Sequence, residues 1–142
     1  MKILLESWKK FITEAEDMKR VSKAVMIDEE GKVLILKRAP DFVTKESPWE
    51  WDLPGGHIQK GESDVKGLQR EIQEETNLYI RYAPEWFMLE GYTRFYLLRK
   101  WEGTISLSHE HTEYKWADPK EIGGYDIGKV YESAIREASI VK

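Results

Sequence analysis

Apolar residues recur at helical spacing at both ends of this chain and gather into shorter, denser runs between them. Ile3, Leu4, Leu5, Trp8, Phe11, Ile12 and Ala15 alternate with Lys9, Lys10, Glu14 and Glu16, which predicts an amphipathic helix over residues 1–18. Residues 19–142 then read as one domain. Runs at 20–28 and 33–38 predict two strands, and Glu29-Glu30-Gly31-Lys32 between them carries hairpin-turn chemistry. Residues 40–50 read as a loop with Pro40 and Pro48. A second helix starts with Ser63 or Asp64 as its cap and reaches about Thr76, with Val65, Leu68 and Ile72 as its apolar stripe. Strands are expected near 85–90, 92–101 and 114–117. Asp118 followed by Pro119 reads as a helix cap with proline at the first helical position. Val130, Tyr131, Ala134, Ile135 and Ala138 predict a closing helix over 128–140. Interleaved strands and helices of this kind predict an α/β fold with a mixed sheet between helices.

The chemistry concentrates on the second helix. Glu71, Glu74 and Glu75 stand at i, i+3 and i+4, so the three carboxylates share one side. Adjacent anions repel, and such a cluster is best explained by a cation held among them. Directly upstream, Leu53-Pro54-Gly55-Gly56 forms a turn whose glycines let backbone approach a ligand closely.

Together these residues give the pattern G-x5-E-x7-R-E-I-x-E-E-x-N-L, which resembles the Nudix box of the Nudix hydrolase family. Gly56, Glu62, Arg70, Glu71, Glu74 and Glu75 agree in identity and spacing. At roughly 5–7% per residue, chance agreement is on the order of 10⁻⁷, which sets aside a solvated, charge-rich helix. One position departs: Asn77 stands where the family usually has glycine. Asparagine also tolerates a left-handed helix stop, so the change leaves the carboxylates untouched. The resemblance implies the Nudix α/β/α sandwich, with residues 1–18 as an N-terminal helical extension. It implies that Glu71, Glu74 and Glu75 bind Mg²⁺, with Mn²⁺ as a substitute, and that the Gly55 carbonyl completes the ligand set. Arg70 would hold the carboxylates in place, and Glu62 would brace the loop in preference to binding metal.

A further carboxylate is expected from 107–116, Leu-Ser-His-Glu-His-Thr-Glu-Tyr-Lys-Trp. Glu110 is favoured over Glu113, because its distance from Trp116 is like that of the outer metal-binding glutamate in MutT-type Nudix enzymes. His109 and His111 read as solvent-exposed loop residues, since no additional spaced His or Cys set accompanies them to make a zinc site. His57, after the glycine pair, is a candidate phosphate contact. Trp49, Phe42, Tyr92, Tyr96 and Trp116 are candidates to stack on a base.

The implied reaction is hydrolysis of a diphosphate linkage, with a MutT-like (d)NTP pyrophosphohydrolase ahead of a dinucleoside polyphosphate hydrolase and a nucleotide-sugar pyrophosphatase. The 107–116 run resembles animal-type diadenosine tetraphosphate hydrolases, but Pro54-Gly55-Gly56-His57 stands where those enzymes usually carry Pro-Lys-Gly-His. A non-catalytic nucleotide-binding regulator of the same fold is the rival from another class; such domains typically lose a box carboxylate, and none is lost here.

Composition narrows the setting. Lys and Arg number 22 against 26 Asp and Glu, a net charge of −4, which argues against an extended nucleic-acid surface. The absence of cysteine excludes disulfides, thiolate metal sites and a thiol nucleophile. No apolar run is long enough to span a bilayer, and no signal-peptide core precedes the domain, so a cytoplasmic protein with no membrane partner is expected; the resemblance implies a nucleotide substrate. The apolar face of residues 1–18 would pack on the domain or in a homodimer; its mixed charges fit a membrane anchor poorly.

Overall fold

A computed structural model describes residues 19–141. The expected helix over residues 1–18 lies outside the described residues. Strands β1 (Val21–Met26), β2 (Val33–Arg38), β3 (Trp51–Asp52) and β4 (Gly55–His57) precede helix α1 (Asp64–Thr76). Strands β5 (Trp86–Glu90), β6 (Thr93–Leu98) and β7 (His111–Ala117) follow, and helix α2 (Lys129–Ser139) closes the domain. The strands form two sheets, ordered β4-β1-β6-β5 and β3-β2-β7. The first is mixed, since β1 runs parallel to β6 and antiparallel to β4.

The dense apolar stretch of β1 is explained by burial on both faces. Ala24 and Met26 pack with Leu68 and Ile72 of α1, while Val25 and Ile27 pack with Ala134, Ile135 and Ala138 of α2. This is the helix–sheet–helix layering expected from the sequence. The hairpin expectation for β1 and β2 is corrected. Gly31 turns the chain and Asp28 accepts hydrogen bonds from the Glu30 and Lys32 amides. Beyond the single Ile27–Val33 bridge, however, the two strands diverge into different sheets. Each instead forms a longer ladder, β1 with β6 and β2 with β7.

Ser63 is the cap of α1, its hydroxyl accepting from the Lys66 amide at 3.1 Å. Asp64 is left to pair with Arg20 and Arg94 at 3.0 and 2.8 Å. At the other end Asn77 adopts φ 62°, the left-handed stop that the glycine substitution requires. The Asp118-Pro119 start opens only a short 3-10 helix, Pro119–Gly124. In α2, Val130 turns out of the apolar stripe and is exposed. No helix among the described residues is long and apolar enough to cross a membrane.

Candidate functional site

Pairing of β1 with β4 brings the Pro-Gly-Gly turn against the strand, and only glycine fits there. Gly55 has φ +125°, and a Cβ on it would lie 2.1 Å from the Ser22 carbonyl oxygen. A Cβ on Gly56 would meet the Glu71 carboxylate at 2.8 Å. The turn is thus seated on α1, and the Gly55 amide donates to Glu75 Oε1 at 3.0 Å.

The three carboxylates of α1 part company in the fold. Glu75 is 4% exposed, and burial raises its carboxyl well above the usual carboxylate range, with Lys23 opposing that shift. Glu71 is partly covered and lines the same cleft, whereas Glu74 is exposed and lies outside it. Arg70 ties Glu71 and Glu74 to Glu62. Its guanidinium forks onto Glu62 at 2.8 and 3.1 Å and donates to Glu71, Glu74 and the His57 carbonyl, each at 3.1 Å. Glu62 thus links the Arg70 guanidinium to the Gln59 amide of the loop ahead of α1. Hydrogen bonds from Arg70 hold its carboxyl below the usual range.

That cleft has a volume of about 400 Å³. Phe42, Gly55, His57, Glu71, Glu75 and Glu110 all line it, although they come from four separate segments of the chain. Glu113 is exposed and faces Lys37 across β2–β7, away from the cleft lining. A second hollow of about 360 Å³ adjoins it, lined by Trp49, Trp51, Gly128 and Lys129. Arg38, Ser47, Asp52 and Tyr131 border both. Trp49 presents a 39% exposed ring beside Gly128. Arg38 shapes the loop between the two spaces, donating to the Phe42 carbonyl and to the Ser47 carbonyl and hydroxyl.

Three aromatic expectations are corrected. Tyr96 is 2% exposed in the core beneath α1, because its register on β6 turns the ring toward Leu68 and Ile72. It has no face to offer a base. Trp116 stacks on Trp101 at 5.6 Å and packs against the same core. Tyr92 is exposed, but its ring lies under the Lys19 ammonium, outside the cleft lining.

The histidine expectation fails for His111 and holds for His109, which is exposed beside the Phe42 ring. His111 is 6% exposed at the start of β7. A register shift at Lys37/Arg38 pairs Lys37 with Glu113 but Arg38 with His111. Counting along β7 therefore does not predict where His111 points. Its Nδ1 lies 3.7 Å from Glu75 Oε2, its Nε2 3.9 Å from Asp52 Oδ2, and Nδ1 is buried without a hydrogen-bond partner. Ligand atoms of Glu75, Glu110 and His111 fall within 4.8 Å of one another. Two carboxylates and an orphaned imidazole nitrogen facing one point fit a divalent cation.

Lys23 was not anticipated. Its ammonium, buried under the cleft, donates to Asp52 Oδ1, the Leu53 carbonyl and the Gly55 carbonyl, each at 3.0 Å. Burial alone would lower the Lys23 pKa, but Asp52 outweighs it and the group is held charged. Asp52 likewise stays ionised, since Lys23 overcomes the cost of its burial. The Gly55 carbonyl expected to face a metal is thus already bonded to an internal cation. A lysine in the strand Val21-Ser22-Lys23-Ala24-Val25-Met26 was the available signal.

The NUDIX domain family matches the chain over residues 18–138. The chain belongs to the Nudix hydrolase family. Over 82 residues this Nudix chain is 34% identical to the rat asymmetrical bis(5'-nucleosyl)-tetraphosphatase, covering 46% of this chain and 54% of that enzyme. It thus spans about half the length of that relative. It is 25% identical over 129 residues to the Escherichia coli nucleoside triphosphatase NudI, covering 78% of this chain and 90% of that one. Among solved structures it is similar to a MutT protein from Methanosarcina mazei, with TM-score 0.64 and 26% identity over 83% of this chain and 90% of that one.

The Arg70 fork gives a pH prediction. With its pKa depressed in the fold, Glu62 contributes stability above the ordinary value of 4.5 and loses it as pH falls through the folded value. The Tm difference between wild type and Glu62→Gln should therefore be full at pH 7 and shrink below about pH 4.5. A difference that widens on acidification would contradict the assignment.

Proposed function

We propose that this Nudix chain hydrolyses a phosphoanhydride bond of a nucleotide with the help of a divalent cation. The favoured substrate is a (deoxy)nucleoside triphosphate, cleaved in MutT-like fashion to the monophosphate and pyrophosphate. The observation that carries this reading is the joining of two unlike spaces: an acidic cleft around Glu71, Glu75 and Glu110, and an aromatic hollow around Trp49. A phosphate chain bridged to carboxylates by a cation suits the first, and a base suits the second.

Glu75, Glu110 and His111 are the groups that would hold the cation, with Glu71 beside them. When bound, a divalent ion offsets phosphate charge and lowers the pKa of water. The protein's own groups supply the rest. Arg70 holds Glu71 and Glu74 so that they do not swing together or apart. His57, exposed at the cleft, would meet a phosphate oxygen. Arg38 fixes the loop that carries Phe42 and Trp49.

A dinucleoside polyphosphate is the second reading, supported by the 107–116 run and by the name of the rat relative. Incubation with Mg²⁺ and a panel of canonical and oxidised dNTPs, diadenosine polyphosphates, ADP-ribose and sugar nucleotides separates the readings by their products. Tight binding with no hydrolysis of any of them would favour a nucleotide-binding regulator instead. Within the favoured reading, Trp49→Ala should raise KM about 5- to 150-fold with kcat little changed, as loss of a base stack of about 1–3 kcal/mol predicts. An unchanged KM would place the base elsewhere.

A further inference from the structure

We propose that His111 is a direct nitrogen ligand of the divalent cation, through Nδ1, and that this makes the site prefer Mn²⁺ and other transition ions over Mg²⁺. The inference rests on the metal-dependent reading above and sharpens its ligand set.

His111 is buried, and among the described residues its Nδ1 has no hydrogen-bond partner: Nδ1 is 3.7 Å from Glu75, while Nε2 is 3.9 Å from Asp52. A buried nitrogen left without a partner costs stability, so the arrangement suits a group bound at Nδ1. Lys23 cannot supply it, because its three protons already go to Asp52, Leu53 and Gly55. The unpartnered nitrogen points at the two carboxylates best placed to share a cation, Glu75 from α1 and Glu110 from the turn before β7. On its far side the ring faces the Asp52 carboxylate, the kind of outer partner that orients metal-binding histidines. Lys23 in turn anchors Asp52.

The donor type then sets the ion. Mg²⁺ is a hard cation that favours oxygen and retains water, whereas nitrogen donors strengthen binding along the first-row series from Mn²⁺ onward. The Gly55 carbonyl shares its oxygen with the Lys23 ammonium, and one unexpected nitrogen is present.

The test uses the full chain and Mn²⁺ alone, with free Mn²⁺ measured by electron paramagnetic resonance and bound Mn²⁺ examined by electron spin-echo modulation. The expected result is a bound ion coupled to a histidine nitrogen. That coupling should persist in a His57→Asn/His109→Asn double variant, where His111 is the remaining histidine. His111→Gln should abolish it, weaken Mn²⁺ at least about 10-fold, and weaken Mg²⁺ less, as read by competition. Bound Mn²⁺ without nitrogen coupling in the wild type overturns the proposal, as does an unchanged Mn²⁺/Mg²⁺ preference in a folded His111→Gln variant. Should His111→Gln fail to fold, the double variant decides alone. Nitrogen coupling without hydrolysis of any nucleotide would leave the ligand assignment standing and sink the enzymatic reading, so the two failures are distinguishable.

Discussion

Glu75→Gln is expected to lower nucleotide hydrolysis by roughly 10²–10³-fold, the scale on which loss of one essential electrostatic group acts. Of the box carboxylates, Glu75 is the one buried at the floor of the cleft, within reach of both Glu110 and His111. Its amide replacement keeps an oxygen to accept from the Gly55 amide, so the turn stays seated. Removing a buried charge also removes the burial penalty that raises the Glu75 pKa, and the Tm should hold or rise. The loss is therefore chemical. Glu110→Gln should be the next most damaging change, while Glu113→Gln and its exposed side chain should leave turnover near wild type. Wild-type turnover by Glu75→Gln in saturating Mg²⁺, measured by product release, would remove the metal assignment altogether.

Lys23→Met is expected to cost stability more than any other single change discussed. Truncating one member of a buried ion pair leaves the other charge uncompensated, at about 3–5 kcal/mol. For a domain of this size that corresponds to a fall in Tm of about 10–20 °C by calorimetry. Three acceptors lose their donor together: Asp52, the Leu53 carbonyl and the Gly55 carbonyl. Adding Asp52→Asn should recover part of the loss, since the stranded charge disappears and the two residues couple through direct contact. A Lys23→Met variant within about 2 °C of wild type would show that water already screens the pair.

These two residues mark where the reading of the chain succeeds and fails. Glu75 was legible because helical spacing is local: 71, 74 and 75 fall on one side whatever surrounds the helix. The stop at Asn77 and the cap near Ser63 were legible for the same reason, each depending on a few consecutive residues. Lys23 was visible only as an anomaly, a lysine beside four apolar residues in a strand. Its partner Asp52 lies 29 residues away on β3, and nothing in either segment names the other. Tyr96 failed as a base contact because strand alternation gives a choice of two faces, and which face meets α1 is decided by packing. The hairpin between β1 and β2 failed because the turn favours it locally while longer ladders to β6 and β7 prevail.

By itself, the sequence determined the Nudix family, the box helix with its two ends, the closing helix, and the glycine turn ahead of the box. All are set by contacts between residues close along the chain or by a fixed spacing. Tertiary structure alone decided which box carboxylate is buried, that Lys23 bonds the Gly55 carbonyl, and that His111 is turned inward. Those outcomes depend on strand register, a bulge and the meeting of distant segments, where a shift of one residue reverses a side chain's direction.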